Sequence, residues 1–256
     1  ADAKGNIGQL LAVKVPDRAR RVPEDLLQDP ESSDSAWQEF RGPDELPTAF
    51  NPRRGFLVSA NNVPVRIDTP IGYLFSSNDR ILRITDLLKS GRAVSLDDLR
   101  TIQTDVFSIT DFALHEMLIE KIAACGLDQP ADPDTQQLLA RLNAWDGHYS
   151  VDSRGAVAFQ ALLAHFAPGF YRDRYGEEIG EVIAGGSVRD FLREDLPEAD
   201  VAVCRPLLER ALPAAAADAR RFSTWGEMHR LVLGHYFRRV PLVGDRYRFE
   251  EHPAAG

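Results

Sequence analysis

The chain has 256 residues, enough to bury a core as one large domain or two modest ones. Hydrophobic residues make up 44% and charged residues 27%, the balance of an ordinary soluble globular protein, with a formal net charge of -9 and a pI near 5.2. That charge argues against nucleic acid as the main partner, because neutralising phosphates needs a basic surface, and no apolar run approaches the roughly 18 residues of a membrane span.

The chain begins "ADAKGNIG" without an initiator Met and without a signal peptide, as a processed product or an excerpt would. Ile7 to Val15 reads as a strand. A loop follows whose Pro16, Pro23, Pro30, Pro43 and Pro47 block both ladder pairing and regular helix. Gly55 to Ala60 reads as a second strand, closed by Pro64 after a loop begins. At its exit stand Asn61 and Asn62, within "FNPRRGFLVSANNVP". Asparagine is a poor strand residue, and its amide must find partners or stay wet. Two readings are open for the pair: a turn, or an amide donor aimed at a reacting carbonyl.

From Asp79 the period becomes helical. "NDRILRITDLL" spaces Ile81, Ile84, Leu87 and Leu88 on one face behind Asn78 as N-cap. Arg80 falls in the first turn, where a cation opposes the helix dipole, so a carboxylate or carbonyl other than the adjacent Asp79 should compensate it. A solvated surface arginine is the plainer reading. "SLDDLRTIQTDVFS" opens with Ser95 three residues before Asp98, a capping box, and carries an apolar face of Leu96, Leu99, Ile102 and Val106. Further helices are expected at 112–124, 135–144, 155–166, 201–212 and 225–233, with Gly126 as a stop and Pro168, Pro197 and Pro213 as punctuation. "DRYRFEE" alternates and reads as a returning strand over 246–250. Strands at both ends around a helical block predict an α+β fold. The expected parts are a strand and loop segment over 1–78, a mainly helical region over 79–239, and a returning strand over 240–256.

Asp105 sits one residue before the apolar stripe of its helix and reads as a capping or pairing residue. Trp145, Asp146 and Gly147 read as a helix terminator and packing motif. The six histidines include neither an HExxH nor an i, i+4 pair, so a zinc site is not expected. Cys125 and Cys204 lack metal or redox spacing, and two buried thiols or one disulfide are both open.

Four segments together resemble the penicillin acylase (penicillin amidase) family of N-terminal-nucleophile hydrolases. They are "ADAKGNIG" at 1–8, "NPRRGFLVSANN" at 51–62, "SLDDLRTIQTDVFS" at 95–108 and "LNAWDGHYSVDSRGAVAF" at 142–159, with "TWGEMHRLVLGH" at 224–235 as a weaker fifth. The resemblance implies part of an αββα sandwich with a large helical insertion, and an interior portion of the large subunit of an amidohydrolase of linear N-acyl amides. Such enzymes cut themselves to expose a Ser, Thr or Cys whose own α-amine serves as general base. Ala1 cannot be that nucleophile, so the resemblance places it outside this chain. It implies Asn61 as an oxyanion donor and Arg80 as the residue that orients it, with Asn62 as a turn residue. It implies no cofactor for the chemistry, a structural calcium in the complete protein, and partnership with the remainder of the same precursor (the small subunit and the N-terminal part of the large one). Asp68 is the nearby candidate carboxylate for calcium and is not assigned. A periplasmic or secreted location is likewise implied. The alternatives are an acylase for acyl-homoserine lactones or cephalosporins, and a module that has lost its nucleophile and only binds.

Overall fold

The computed structural model describes residues 1–18, 27, 29–31, 36–63, 75, 77–89, 93–185 and 188–255. It is an α+β structure with two compact units, 1–102 and 103–256. The change of period at Asn78 thus lies inside the first unit.

In the first unit, β1 (Gly8–Leu10) pairs antiparallel with β4 (Thr48–Phe50), and β2 (Val15–Arg18) pairs antiparallel with β3 (Trp37–Arg41). The single strand expected from Ile7 to Val15 is therefore two strands. They are broken at 11–14 and pair in separate two-stranded sheets, Gly8 opposite Phe50 in one and Pro16 opposite Phe40 in the other. The run from Gly55 to Ala60 is not a strand. No described segment offers it a ladder, and its polar groups are used locally: Arg54 Nε donates to the Phe56 carbonyl at 2.9 Å, and the Ala60 N–H goes to the Asn62 side chain. Two helices follow, α1 (Asp79–Leu88) and α2 (Leu96–Gln103). The Ser95 capping box forms as expected, with Asp98 N–H donating to Ser95 Oγ at 3.1 Å and Ser95 N–H to Asp98 Oδ2 at 2.8 Å. The helical face expected to run from Leu96 to Val106 ends with α2 at Gln103, because Ser108 caps the next helix instead.

The second unit is a helical bundle: α3 (Ile109–Ala124), α4 (Pro133–Asn143), α5 (Arg154–Tyr175), α6 (Glu177–Gly185), α7 (Val188–Glu198), α8 (Val201–Ala219) and the single turn α9 (Trp225–Met228). Three of these start on short polar side chains that take up an orphan N–H. Ser108 accepts from Asp111, Asp132 from Thr135 and Ser153 from Ala156, at 2.9–3.1 Å. α5 is the central helix, with Ala156, Val157, Ala158, Phe159, Leu162 and Phe166 all buried. Facing it, α8 buries Ala211, Ala215, Ala216 and Ala219, small residues that let the two backbones approach. Pro168, Pro197 and Pro213, expected as punctuation, lie inside α5, α7 and α8. Each removes one ladder bond, and apolar burial on both sides of α5 and α8 outweighs that local cost. The helix expected over 225–233 ends after one turn. Arg230–Gly234 is instead β5, paired antiparallel with β6 (Arg248–Pro253), the returning strand of the tail. Cys125 and Cys204 are both buried free thiols. Among the described residues no helix is long and apolar enough to cross a membrane.

The Trp-Asp-Gly motif packs the bundle. Trp145 is buried, stacks on Phe159 with centroids 4.7 Å apart, and donates from Nε1 to the His148 carbonyl. Gly147 has φ of +84°, and a Cβ there would meet the Phe107 ring at 2.5 Å; a Cβ on Gly155 would meet Trp145 at 2.4 Å. Both positions therefore demand glycine for space, and Gly147 for backbone as well.

His115 is buried in the same cluster, stacked with Phe112 and edge-on to Trp145, with Nε2 2.7 Å from the Leu142 carbonyl. A carbonyl only accepts, so Nε2 carries the proton. Burial pushes the His115 pKa below its ordinary value. The unfolded chain then takes up the proton first as pH falls. Stability from a neutral His115 is complete above about 6.5, the unfolded value, and is lost as pH drops from there through the lower folded pKa. We expect Tm to fall between pH 7.5 and 5.5, and His115→Gln, which keeps a donor for Leu142, to flatten that slope. Equal slopes in both proteins would remove His115 from the account.

Candidate active site

The residues singled out at the Asn61 turn lie in the first unit and are set up from β1 and β4. Where β4 ends, Asn51 adopts φ of +45° and closes the pair twice. Its N–H donates to the Ile7 carbonyl, and its Oδ1 accepts from the Ile7 N–H, both at 2.9 Å. Its Nδ2 donates to Asn6 Oδ1 at 2.7 Å, and Asn6 Nδ2 donates to Asp2 Oδ2 at 2.7 Å. The Asn6 contacts hold the Asp2 carboxyl below its ordinary pKa. Sequence reasoning missed this relay. The signal was an asparagine directly before Pro52, a common turn opening. The chain then turns at Gly55, whose N–H donates to the Pro52 carbonyl, and runs through Phe56 and Leu57 to Ala60, which is buried.

At the exit the two asparagines separate. Asn62 spends both ends of its amide on neighbouring backbone: Oδ1 accepts from the Ala60 N–H at 3.1 Å, and Nδ2 donates to the Val63 carbonyl at 2.9 Å. This is the self-satisfied turn asparagine. Asn61 is in the left-handed region with φ of +59°, a conformation uncommon outside glycine that asparagine tolerates. Its Oδ1 accepts from Arg80 Nη2 at 2.8 Å, and the same Nη2 lies 3.2 Å from the Ala60 carbonyl. Arginine has donors only, so the Asn61 atom facing it must be oxygen. The Nδ2 end consequently points away from Arg80, and it has no hydrogen-bond partner among the described residues.

Arg80 occupies the first turn of α1, where the helix dipole disfavours a cation. The two oxygen acceptors at the Asn61 turn supply the compensation that position needs. In the same unit, a groove of about 560 Å³ runs between Arg54–Leu57 and the apolar side chains of Leu88, Val94 and Leu99. Arg54 stacks over Phe56 at its edge, 5.1 Å from the ring centroid.

The other sequence candidates serve structure. Asp105 Oδ1 accepts from the Phe107 N–H at 3.2 Å and so stabilises the turn between helices. Asp68 lies outside the described residues. Among the described residues no group of three or more His, Cys, Asp or Glu is placed to hold a metal ion, and no step below is routed through one.

Comparison with known proteins agrees with the motifs that frame this turn. Penicillin acylase 2 proenzyme from Pseudomonas sp. (strain SE83) is 30% identical over 165 residues, which are 63% of this chain and 20% of that protein. The matched stretch thus spans about a fifth of the relative's length. The sequence pattern that defines penicillin amidases matches residues 1–255, from the Asp2–Asn6 turn through the Asn61 exit to the end of β6. The chain therefore belongs to the penicillin amidase family.

Proposed function

We propose that the chain is a portion of an amidohydrolase of the penicillin acylase type that hydrolyses linear N-acyl amides, with Asn61 as a side-chain donor to the oxyanion. The observation that carries this reading is the Arg80–Asn61 hydrogen bond at 2.8 Å, which commits the amide oxygen and leaves the N–H end for another acceptor. The chemistry wants such a donor near 3 Å from the developing oxyanion, oriented before reaction begins. A neutral amide supplies it without competing for protons at neutral pH.

In this reading the nucleophile, an N-terminal Ser, Thr or Cys with its α-amine as base, is supplied by a part of the protein outside these 256 residues, within an αββα sandwich. That the relative is a proenzyme about five times the matched length supports it. The nucleophile attacks the amide carbon, Asn61 Nδ2 holds the oxygen as charge develops, and the amine leaves with a proton. Water then hydrolyses the acyl-enzyme. Arg80 acts through Asn61, as a positioning residue. The apolar groove in the same unit is of a kind that suits the acyl part of the substrate. A structural calcium and a periplasmic or secreted location belong to this reading as well. An acylase for acyl-homoserine lactones or cephalosporins would use the same donor, so Asn61 does not discriminate among acyl substrates.

The test is release of a chromogenic aniline from N-acyl anilides by the complete, processed protein. Turnover on at least one acyl chain is expected, and absence of turnover across short, long and aromatic acyl groups would favour a binding module. The 256-residue chain alone should be inactive, because in this reading nucleophile and base lie outside it; turnover by it above a heat-killed control would contradict the account.

Arg80→Lys in the processed protein keeps the charge but loses the planar fork that reaches two oxygens. We expect kcat to fall by about tenfold, the scale of one charge-assisted hydrogen bond, with KM little changed. Wild-type kcat in both Arg80→Lys and Arg80→Ala would return Arg80 to the plain surface.

A further inference from the structure

In the second unit, β5 ends at Gly234 and hands the chain to two single turns of 3-10 helix, Tyr236–Arg239 and Gly244–Tyr247. The turns pack closely, since a Cβ on Gly244 would fall 2.3 Å from the Arg238 carbonyl. A depression of about 450 Å³ opens there, lined by Gly234, His235, Tyr236, Arg238 and Arg239. Every polar side chain in that lining is a donor. His235 Nδ1 accepts from the Phe237 N–H at 3.3 Å, which puts the imidazole proton on Nε2. Tyr236 is 93% exposed and brings a phenol. The guanidinium groups of Arg238 and Arg239 make no ion pair or hydrogen bond with any described residue.

The charge distribution sharpens the point. The whole chain carries -9, yet between His235 and Tyr247 the sequence holds three arginines, Arg238, Arg239 and Arg246, and one acid, Asp245, with Glu250 and Glu251 further along β6. Crowded like charges repel and cost stability unless a counter-charge is bound. Arg238 is also held in place: a Cβ on Gly234 would lie 2.8 Å from its Cδ and 3.3 Å from its Nη1, so the side chain lies back over the end of β5. Behind it, the rings of His235, Phe237 and Tyr247 pack against one another at 4.8–5.7 Å and stiffen the corner.

We propose that this depression is an oxyanion-binding site, in which Arg238 and Arg239 take the carboxylate or phosphate of a small molecule. The guanidinium fork matches both groups in a bidentate way, and His235 Nε2–H and the Tyr236 hydroxyl add neutral donors. The site rests on this chain's own residues and does not depend on the amidase reading.

The test is calorimetric titration of the native-length protein with sodium benzoate and, separately, sodium phosphate, at ionic strength held constant with NaCl. Saturable binding of at least one is expected, weakened about ten- to hundredfold in Arg238→Met/Arg239→Met, the loss of one or two charge-assisted hydrogen bonds. Circular dichroism confirms that the variant folds. Should it not fold, Arg239→Lys, which keeps the charge and loses the fork, must show the weakening. Equal binding of both anions assigns recognition to the oxygens, and preference for benzoate adds the aromatic corner. No saturable heat with either anion, or equal affinity in wild type and the variants, would overturn the proposal.

Discussion

Arg189→Met should lower the stability of the helical unit by about 2–3 kcal/mol. Asp111, on α3, has a nearly buried carboxylate that accepts from the Tyr149 hydroxyl at 2.6 Å and lies 2.8 Å from Arg189 Nε. The Nε contact is an ion pair without hydrogen-bond alignment. Gln160, on α5, donates to the Tyr149 hydroxyl at 2.6 Å and accepts from Arg189 Nη2 at 3.0 Å. Four side chains from α3, the 144–153 loop, α5 and α7 thus form a closed ring. Burial, then the Asp111 charge, pushes the Tyr149 pKa up, so its hydroxyl stays a donor. Removing the arginine strands a buried charge, which costs about 3–5 kcal/mol when both partners are fully buried. Arg189 is 40% exposed, so water recovers part of that cost and the smaller figure applies. Chemical denaturation measures it, and a change below about 0.5 kcal/mol would mean that the ring is ornamental to stability.

Asn61→Ala in the complete, processed protein should lower kcat by about 10²–10³-fold, or roughly 2.7–4 kcal/mol, the usual scale for one oxyanion donor. KM should move little, because the bond strengthens as the carbonyl oxygen gains charge and contributes little to the ground state. Alanine also loses the side-chain acceptor of Arg80, so the guanidinium keeps only the Ala60 carbonyl. Part of the loss could then come from a displaced turn. Asn61→Asp separates the two causes. It keeps an acceptor for Arg80 at the same place while replacing the N–H donor with a carboxylate oxygen that also repels the oxyanion, so a kcat loss at least as large there, with the Arg80 contact kept, assigns the effect to the donor end.

Helices with local signals were legible in the sequence. Ser95 with Asp98 and the Ile81–Leu88 stripe place α2 and α1 correctly at their starts, because caps and period are encoded within a few residues. Pro168 and Pro213 misled, since tertiary burial around α5 and α8 overrides a local breaker. Gly55–Ala60 looked like a strand from Phe56, Leu57 and Val58, but a strand exists only with a partner, and pairing is not a local property. Arg230–Gly234 failed in the opposite sense: its Leu-Val-Leu run fits either period until β6 is seen to pair with it. The Asp111 ring was invisible, being spread over 79 residues in four elements. The asparagine pair shows the limit most clearly. Residue type cannot rank Asn61 against Asn62, and only the φ of +59° and the Arg80 contact on one side, with two backbone bonds on the other, tell them apart.

The most direct test compares kcat of the Asn61→Ala and Asn62→Ala proteins side by side, after a gel has confirmed that both precursors are cut to the same subunits. The account predicts a loss of about 10²-fold or more at Asn61, and less than tenfold at Asn62, whose backbone contacts water can replace. Equal small losses would make the pair a turn and nothing more, and a larger loss at Asn62 would assign the oxyanion to the wrong residue.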